Sequence, residues 1–208
     1  MKIGKPKSVK CPSCGEVQLR HSLMSGNTLG AKYYSDGESV APMLPHFPSF
    51  VKCPKCGVFF RIKKDMLEDG EGLNVPYVKF LTVEEYQQAI SEGLFNMNEK
   101  DDMLALRCAM WRAFNDRSRK GEPLYENDAQ RQAYENNCRE ILNLLGNPTA
   151  DPQRLLQADL LRNLGDFKKA KSVLAKIKER EKFERTIISI TAACDEKNTY
   201  TVRIIDST

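Results

Sequence analysis

No stretch of this chain is apolar for long enough to span a bilayer, so no transmembrane helix is expected. The segment Met1 to Lys10 is basic but has no apolar core of the kind a secretory signal needs, which makes the cytoplasm the expected location. A phosphate-binding glycine loop, a nucleophile elbow and a His-Glu metal motif are all missing. No catalytic constellation emerges, and the chain is expected not to be an enzyme. There are seven cysteines, an odd number, and with no signal segment a disulfide framework is not expected.

What is present fits a globular chain. It has 208 residues, 41% of them hydrophobic and 29% charged, enough for one or two small domains. The formal net charge of +4 counts every thiol as neutral. Four thiolates around one divalent ion would lower it to +2, a balance that does not by itself point to nucleic acid. Lys2, Lys5, Lys7 and Lys10 precede the first cysteine pair, and Arg61, Lys63 and Lys64 follow the second.

The strongest signal is a pair of near-copies, Cys11-Pro12-Ser13-Cys14-Gly15 and Cys53-Pro54-Lys55-Cys56-Gly57. Two thiolates with two residues between them can hold one metal from a tight turn, and the glycine supplies the positive φ that such a turn needs. Cys11, Cys14, Cys53 and Cys56 together complete a tetrahedral shell, which predicts a structural zinc ion with no open position for water or substrate. Val17 and Leu19 after the first knuckle, and Val58, Phe60 and Ile62 after the second, alternate as short strands do, giving a zinc ribbon. Residues 15 to 52 separate the knuckles, a long gap, but loop closure costs grow slowly with length. This insert holds Tyr33-Tyr34-Ser35-Asp36-Gly37-Glu38 and Pro42 to Pro48, and is the candidate for a specific surface. His21 and His46 read as ordinary loop residues, because four sulfurs already fill the shell. Cys108, Cys138 and Cys194 fall on apolar helical faces and read as small core residues, with Trp111 as packing.

The first 70 residues hold six of the ten prolines and show little helical periodicity. Beyond them, Thr82-Val83-Glu84-Glu85 reads as a capping box, with Leu81 and Tyr86 as a hydrophobic staple and Gly93 as the stop. A second helix is expected from about Asn98 to Ser118 and a third from about Glu126 to Leu145. A fourth, Pro152 to Leu164, turns at Gly165-Asp166 into a fifth, Phe167 to about Arg180. Phe183, Ile187, Ile190 and Cys194 repeat at helical spacing. Tyr200, Val202 and Ile204 alternate as a short strand, which needs an edge from the zinc domain's sheet or from a second chain. The acidic run Asp65, Glu68, Asp69 and Glu71 borders glycines and reads as a solvated linker.

Paired CPxCG knuckles with a long insert, followed by a Leu-Arg-Asn-Leu-Gly-Asp-Phe-Lys-Lys-Ala segment, resemble an uncharacterised family of bacterial proteins. In that family a zinc ribbon precedes tetratricopeptide-like helices. The resemblance covers the knuckles and residues 152 to 180, and implies architecture more than activity. Ala158 matches the small residue of the repeat's first helix, Gly165 and Phe167 its turn, and Ala170 and Leu174 its second helix. Lys182 stands where the repeat often has proline.

The expected fold class is therefore α+β: a zinc ribbon of short antiparallel strands over residues 1–70, a linker and capped helix over 71–97, and a helical, tetratricopeptide-like domain over 98–208. The leading functional expectation is a non-enzymatic protein-interaction module with an unidentified protein partner. The alternative is nucleic-acid binding by the ribbon, with Lys10, Lys52, Lys55, Arg61, Lys63 and Lys64 on phosphates and Phe59 and Phe60 stacking bases.

Overall fold

The computed structural model describes residues 1–95 and 100–204. Short antiparallel strands make up its N-terminal part and six helices follow. The strands are β1 (Lys2–Ile3), β2 (Lys7–Lys10), β3 (Val17–Arg20), β4 (Leu23–Ser25), β5 (Lys32–Tyr33), β6 (Ser39–Val40), β7 (Phe50–Lys52), β8 (Phe59–Arg61) and β9 (Leu67–Asp69). The helices are α1 (Val83–Glu92), α2 (Lys100–Arg119), α3 (Asp128–Leu145), α4 (Asp151–Asn163), α5 (Phe167–Leu174) and α6 (Arg180–Asp195). Two compact units result. The first comprises residues 1–31 and 40–106, the second residues 32–39 and 107–208. The expected start of the second helix at Asn98 lies outside the described residues.

In the first unit β2 is the centre of a three-stranded sheet, antiparallel to β3 on one side and to β9 on the other. The strand β9 corrects the reading of the acidic run. Glu68 and Asp69 lie opposite Ser8 and Lys7, Lys10 reaches Glu68 at 2.9 Å, and Lys5 reaches Glu71 at 2.5 Å. Backbone pairing with β2 makes this segment an edge strand whose charged side chains stay exposed, where composition alone suggested a linker. Beyond β3 the chain adds a further backbone layer: Leu19 N–H donates to Pro76 and Val78 N–H donates to the Leu19 carbonyl. The strands β7 and β8 pair antiparallel, with Val51 opposite Phe60. Val9, Val51, Phe60, Ile62 and Val78 form the apolar core around the two buried cysteines. The expected alternation along β8 fails, because Phe59 and Phe60 are each only 1% exposed. Phe95 N–H donates to the Phe59 carbonyl, so residues after α1 help enclose that strand's second face.

The capping box at α1 forms in both directions: Thr82 Oγ1 accepts from Glu85 N–H, and Glu85 accepts from Thr82 N–H. Leu81 and Tyr86 are both buried, as the staple requires.

In the second unit α3 starts two residues later than expected, because Asn127 caps it by accepting from Gln130 N–H at 2.9 Å. The turn after α4 closes with two bonds, Gly165 N–H to Arg162 and Asp166 N–H to Leu161, while Gly165 takes a φ of 80°. Asp166 then caps α5. This helix ends at Leu174, short of the expected Arg180. The reason is Asp151, whose Oδ2 accepts the backbone N–H groups of Lys178 and Glu179 at 3.0 and 2.9 Å. Those amides can no longer continue the helix. Ile177 still packs into the core with Ala158, Ala170, Leu174 and Ile190. Cys108, Cys138 and Cys194 are buried as expected, and burial pushes each thiol's pKa up.

The expected strand over residues 200–204 reduces to one β-bridge, Arg203 against Tyr34. Side chains compete for its backbone: Arg162 takes the Asn198 and Tyr200 carbonyls at 2.7 and 2.5 Å, and Asn163 takes that of Thr199 at 2.7 Å. The partner edge is the β5–β6 hairpin.

Candidate metal centre

Each knuckle is built by the same backbone bonds. Gly15 N–H donates to the Cys11 carbonyl at 2.9 Å and Gly57 N–H to the Cys53 carbonyl at 3.0 Å. Cys11 N–H donates to Glu16 at 2.8 Å and Cys53 N–H to Val58 at 2.9 Å. Both glycines adopt a φ of 75°, the left-handed region that a side chain would strain. Two matched turns thus point four sulfurs at one volume.

The Sγ atoms of Cys11, Cys14, Cys53 and Cys56 all lie within 4.8 Å of one another. Cys11 to Cys56 is 3.7 Å and Cys14 to Cys53 is 3.6 Å. These distances are far beyond a disulfide bond. They match the roughly 3.8 Å edge of a tetrahedron with metal–sulfur bonds of about 2.3 Å. Cys11 and Cys53 are buried within the first unit's core, while Cys14 and Cys56 reach the surface. Burial pushes the Cys11 thiol up to about 12, whereas the Val58 N–H draws Cys56 down to about 7. The four donors fit a structural metal: all are soft sulfurs, and together they close the shell. His21 stands apart from this set, stacked on Tyr77 with ring centroids 4.1 Å apart.

The basic residues singled out around the cysteine knuckles are largely engaged within their own unit. Lys10 pairs with Glu68 at 2.9 Å, Lys55 with Glu16 at 3.4 Å and Arg61 with Asp102 at 2.5 Å. Lys52 bonds Gln88 and lies over the Phe59 ring. Lys63 and Lys64 are exposed. The first unit carries 12 Lys and Arg against 11 Asp and Glu, so it has no substantial positive charge. Phe59 and Phe60 are core residues, and neither offers a ring face to a base.

A second polar constellation lies in the second unit, and sequence reasoning missed it. Asp36 was assigned to a candidate surface, yet its side chain is fully buried. Its Oδ2 accepts from Arg119 at 2.6 Å and from Asn115 at 2.9 Å, and its Oδ1 accepts from Glu38 N–H at 3.1 Å. Arg112 Nε donates to its carbonyl at 3.2 Å. Ser35 exchanges bonds with Val202 and sits 3.3 Å from Arg162. The one legible signal was Ser35-Asp36-Gly37, a turn sequence whose Asp side chain binds the amide two residues on.

Comparison of the chain with protein-family models, curated proteins and solved structures found no match to any of them.

Proposed function

We propose that this chain is a non-enzymatic, zinc-binding protein-interaction module of the cytoplasm. The zinc assignment is supported by the closed four-sulfur geometry, which supplies folding energy to a small unit and leaves no position for catalysis. Cys11, Cys14, Cys53 and Cys56 would hold the ion. The interaction role rests on one observation. Among the described residues, ten of the thirteen exposed large hydrophobics belong to the first unit, led by Leu29 at 81%, Ile3 at 67% and Met24 at 65% exposed. Ile3 and Met24 lie on the paired strands β1 and β4, where Ile3 is opposite Leu23. Exposed apolar side chains concentrated in one unit favour a partner surface there over a purely solvated one.

The second unit would serve as a helical scaffold. Its Gly165 turn and the buried Ala158 and Ala170 are compatible with the tetratricopeptide-like family resemblance, which stays part of this proposal. Arg162 is not available to line a peptide groove, because it is buried. None of the described helices is long and apolar enough to cross a membrane.

The test is affinity capture of the full zinc-loaded chain from its native lysate, with and without nuclease, alongside an Ile3→Lys/Met24→Lys variant. Protein partners that survive nuclease and are lost with the variant support the proposal. Nucleic acid in the untreated eluate, with all partners lost on nuclease treatment, would favour the basic-ribbon alternative and sink it.

A further inference from the structure

Residues 40–106 leave from the β5–β6 hairpin and return to α2, and the second unit holds both the segment before them and the segment after them. The hold on the first side is polar and buried. Asp36 is bonded by Arg119 and Asn115 through its side chain and by Arg112 through its backbone. Arg119 also lies over the Tyr34 ring at 5.1 Å. Tyr34 itself is bridged to Arg203, and Ser35 to Val202. The hairpin sits midway along the segment that joins Cys14 to Cys53.

We propose that the Tyr34–Asp36 turn is a clasp that couples metal retention by the four cysteines to the folded state of the second unit. The inference rests on the zinc reading given above. When the first unit opens and releases its metal, a closed clasp confines residues 40–106 to a loop with both ends fixed. A freed clasp lets everything before α2 become an unconstrained tail. Restricting the open state favours the closed one, by the loop-closure entropy that also underlies cross-link stabilisation. Linkage makes the effect reciprocal: metal binding favours the clasped hairpin as much as the clasp favours metal.

The experiment uses the full-length, zinc-loaded chain and reads two quantities: the rate of zinc transfer to a chromophoric chelator, and amide exchange at Tyr34, Gly37 and Glu38. Asp36→Asn removes the charge that holds Arg119. Gly37→Val strains the turn at a φ of 76° and serves if Asp36→Asn leaves the helices unfolded. Ile190→Val, in the apolar core of the second unit, is the control. The expected result is loss of hairpin protection and zinc release faster by about tenfold in the turn variants, with neither change in the control. Hairpin amides that open while zinc release stays at the wild-type rate would overturn the coupling. Hairpin amides that stay protected in both turn variants would overturn the clasp itself. A wild-type chain that takes up no zinc is a distinct outcome, which removes the metal reading and this inference with it.

Discussion

Arg162 donates to Oδ1 of Asp159 from two nitrogens, at 2.9 and 2.7 Å, with both side chains sealed from solvent. Arg162 completes its set with the Asn198 and Tyr200 carbonyls, whereas Oδ2 of Asp159 has no hydrogen-bond partner and burial raises that carboxyl's pKa, so the pair depends on the Arg162 contact. The pair therefore ties α4 to the C-terminal segment. Removing one partner leaves the other as an uncompensated buried charge. Asp159→Ala is expected to cost the second unit about 3–5 kcal/mol. Urea unfolding followed at Trp111, the single and fully buried tryptophan, measures it. A loss under about 1 kcal/mol would show that the pair is not what holds this segment.

Asp151 gives the second unit an acid-sensitive joint. The Glu179 and Lys178 amides and the Arg154 guanidinium all favour its carboxylate, holding it below the usual aspartate range. A depressed folded pKa stabilises above the unfolded value near pH 4, and that stability is lost as pH falls through the folded one. Stability of the second unit should thus fall on acidification below about pH 4. Asp151→Asn should flatten that part of the curve and lower the plateau at neutral pH. Thermal unfolding of the two proteins from pH 2 to pH 7 decides the matter.

One metal ion per chain is expected by elemental analysis of protein purified without chelator. Cys11→Ser and Cys53→Ser should each lose most of it, since three sulfurs no longer close the shell. Strong chelation should abolish amide protection in β2, β7 and β8 while α3 to α6 keep their helical signal. Retention of metal by a Cys11→Ser/Cys53→Ser double variant would rule out this centre.

Thr82→Ala removes one half of the reciprocal cap on α1. A loss of about 1 kcal/mol is expected, together with faster amide exchange in the first turn of that helix. Unchanged exchange at Glu84 and Glu85 would mean that packing of Tyr86 and Ala89 alone holds the helix start.

How much of this was legible in the sequence depends on the range of each interaction. The knuckles, the α1 cap and the Gly165 turn each involve residues within five positions of one another, so spacing alone reveals them. The Arg119 contact with Asp36 joins residues 83 positions apart, and the Arg162 contact with Ser35 joins residues 127 apart. Neither belongs to a periodic pattern. The acidic run misled for a related reason: its charges are exposed as composition suggests, but its backbone pairs with β2, which lies about 60 residues earlier in the chain.

By itself the sequence determined the four-sulfur centre and the order of strands before helices, because short-range chemistry admits few other uses for two matched CPxCG turns. Tertiary structure alone decided that Asp36 is an internal anchor and not a surface ligand, that α5 stops at Leu174, and that the cations around the knuckles are mostly paired. Burial converts a polar residue from a solvated group into one that must find a partner, and the partner comes from whichever element packing brings within about 3 Å.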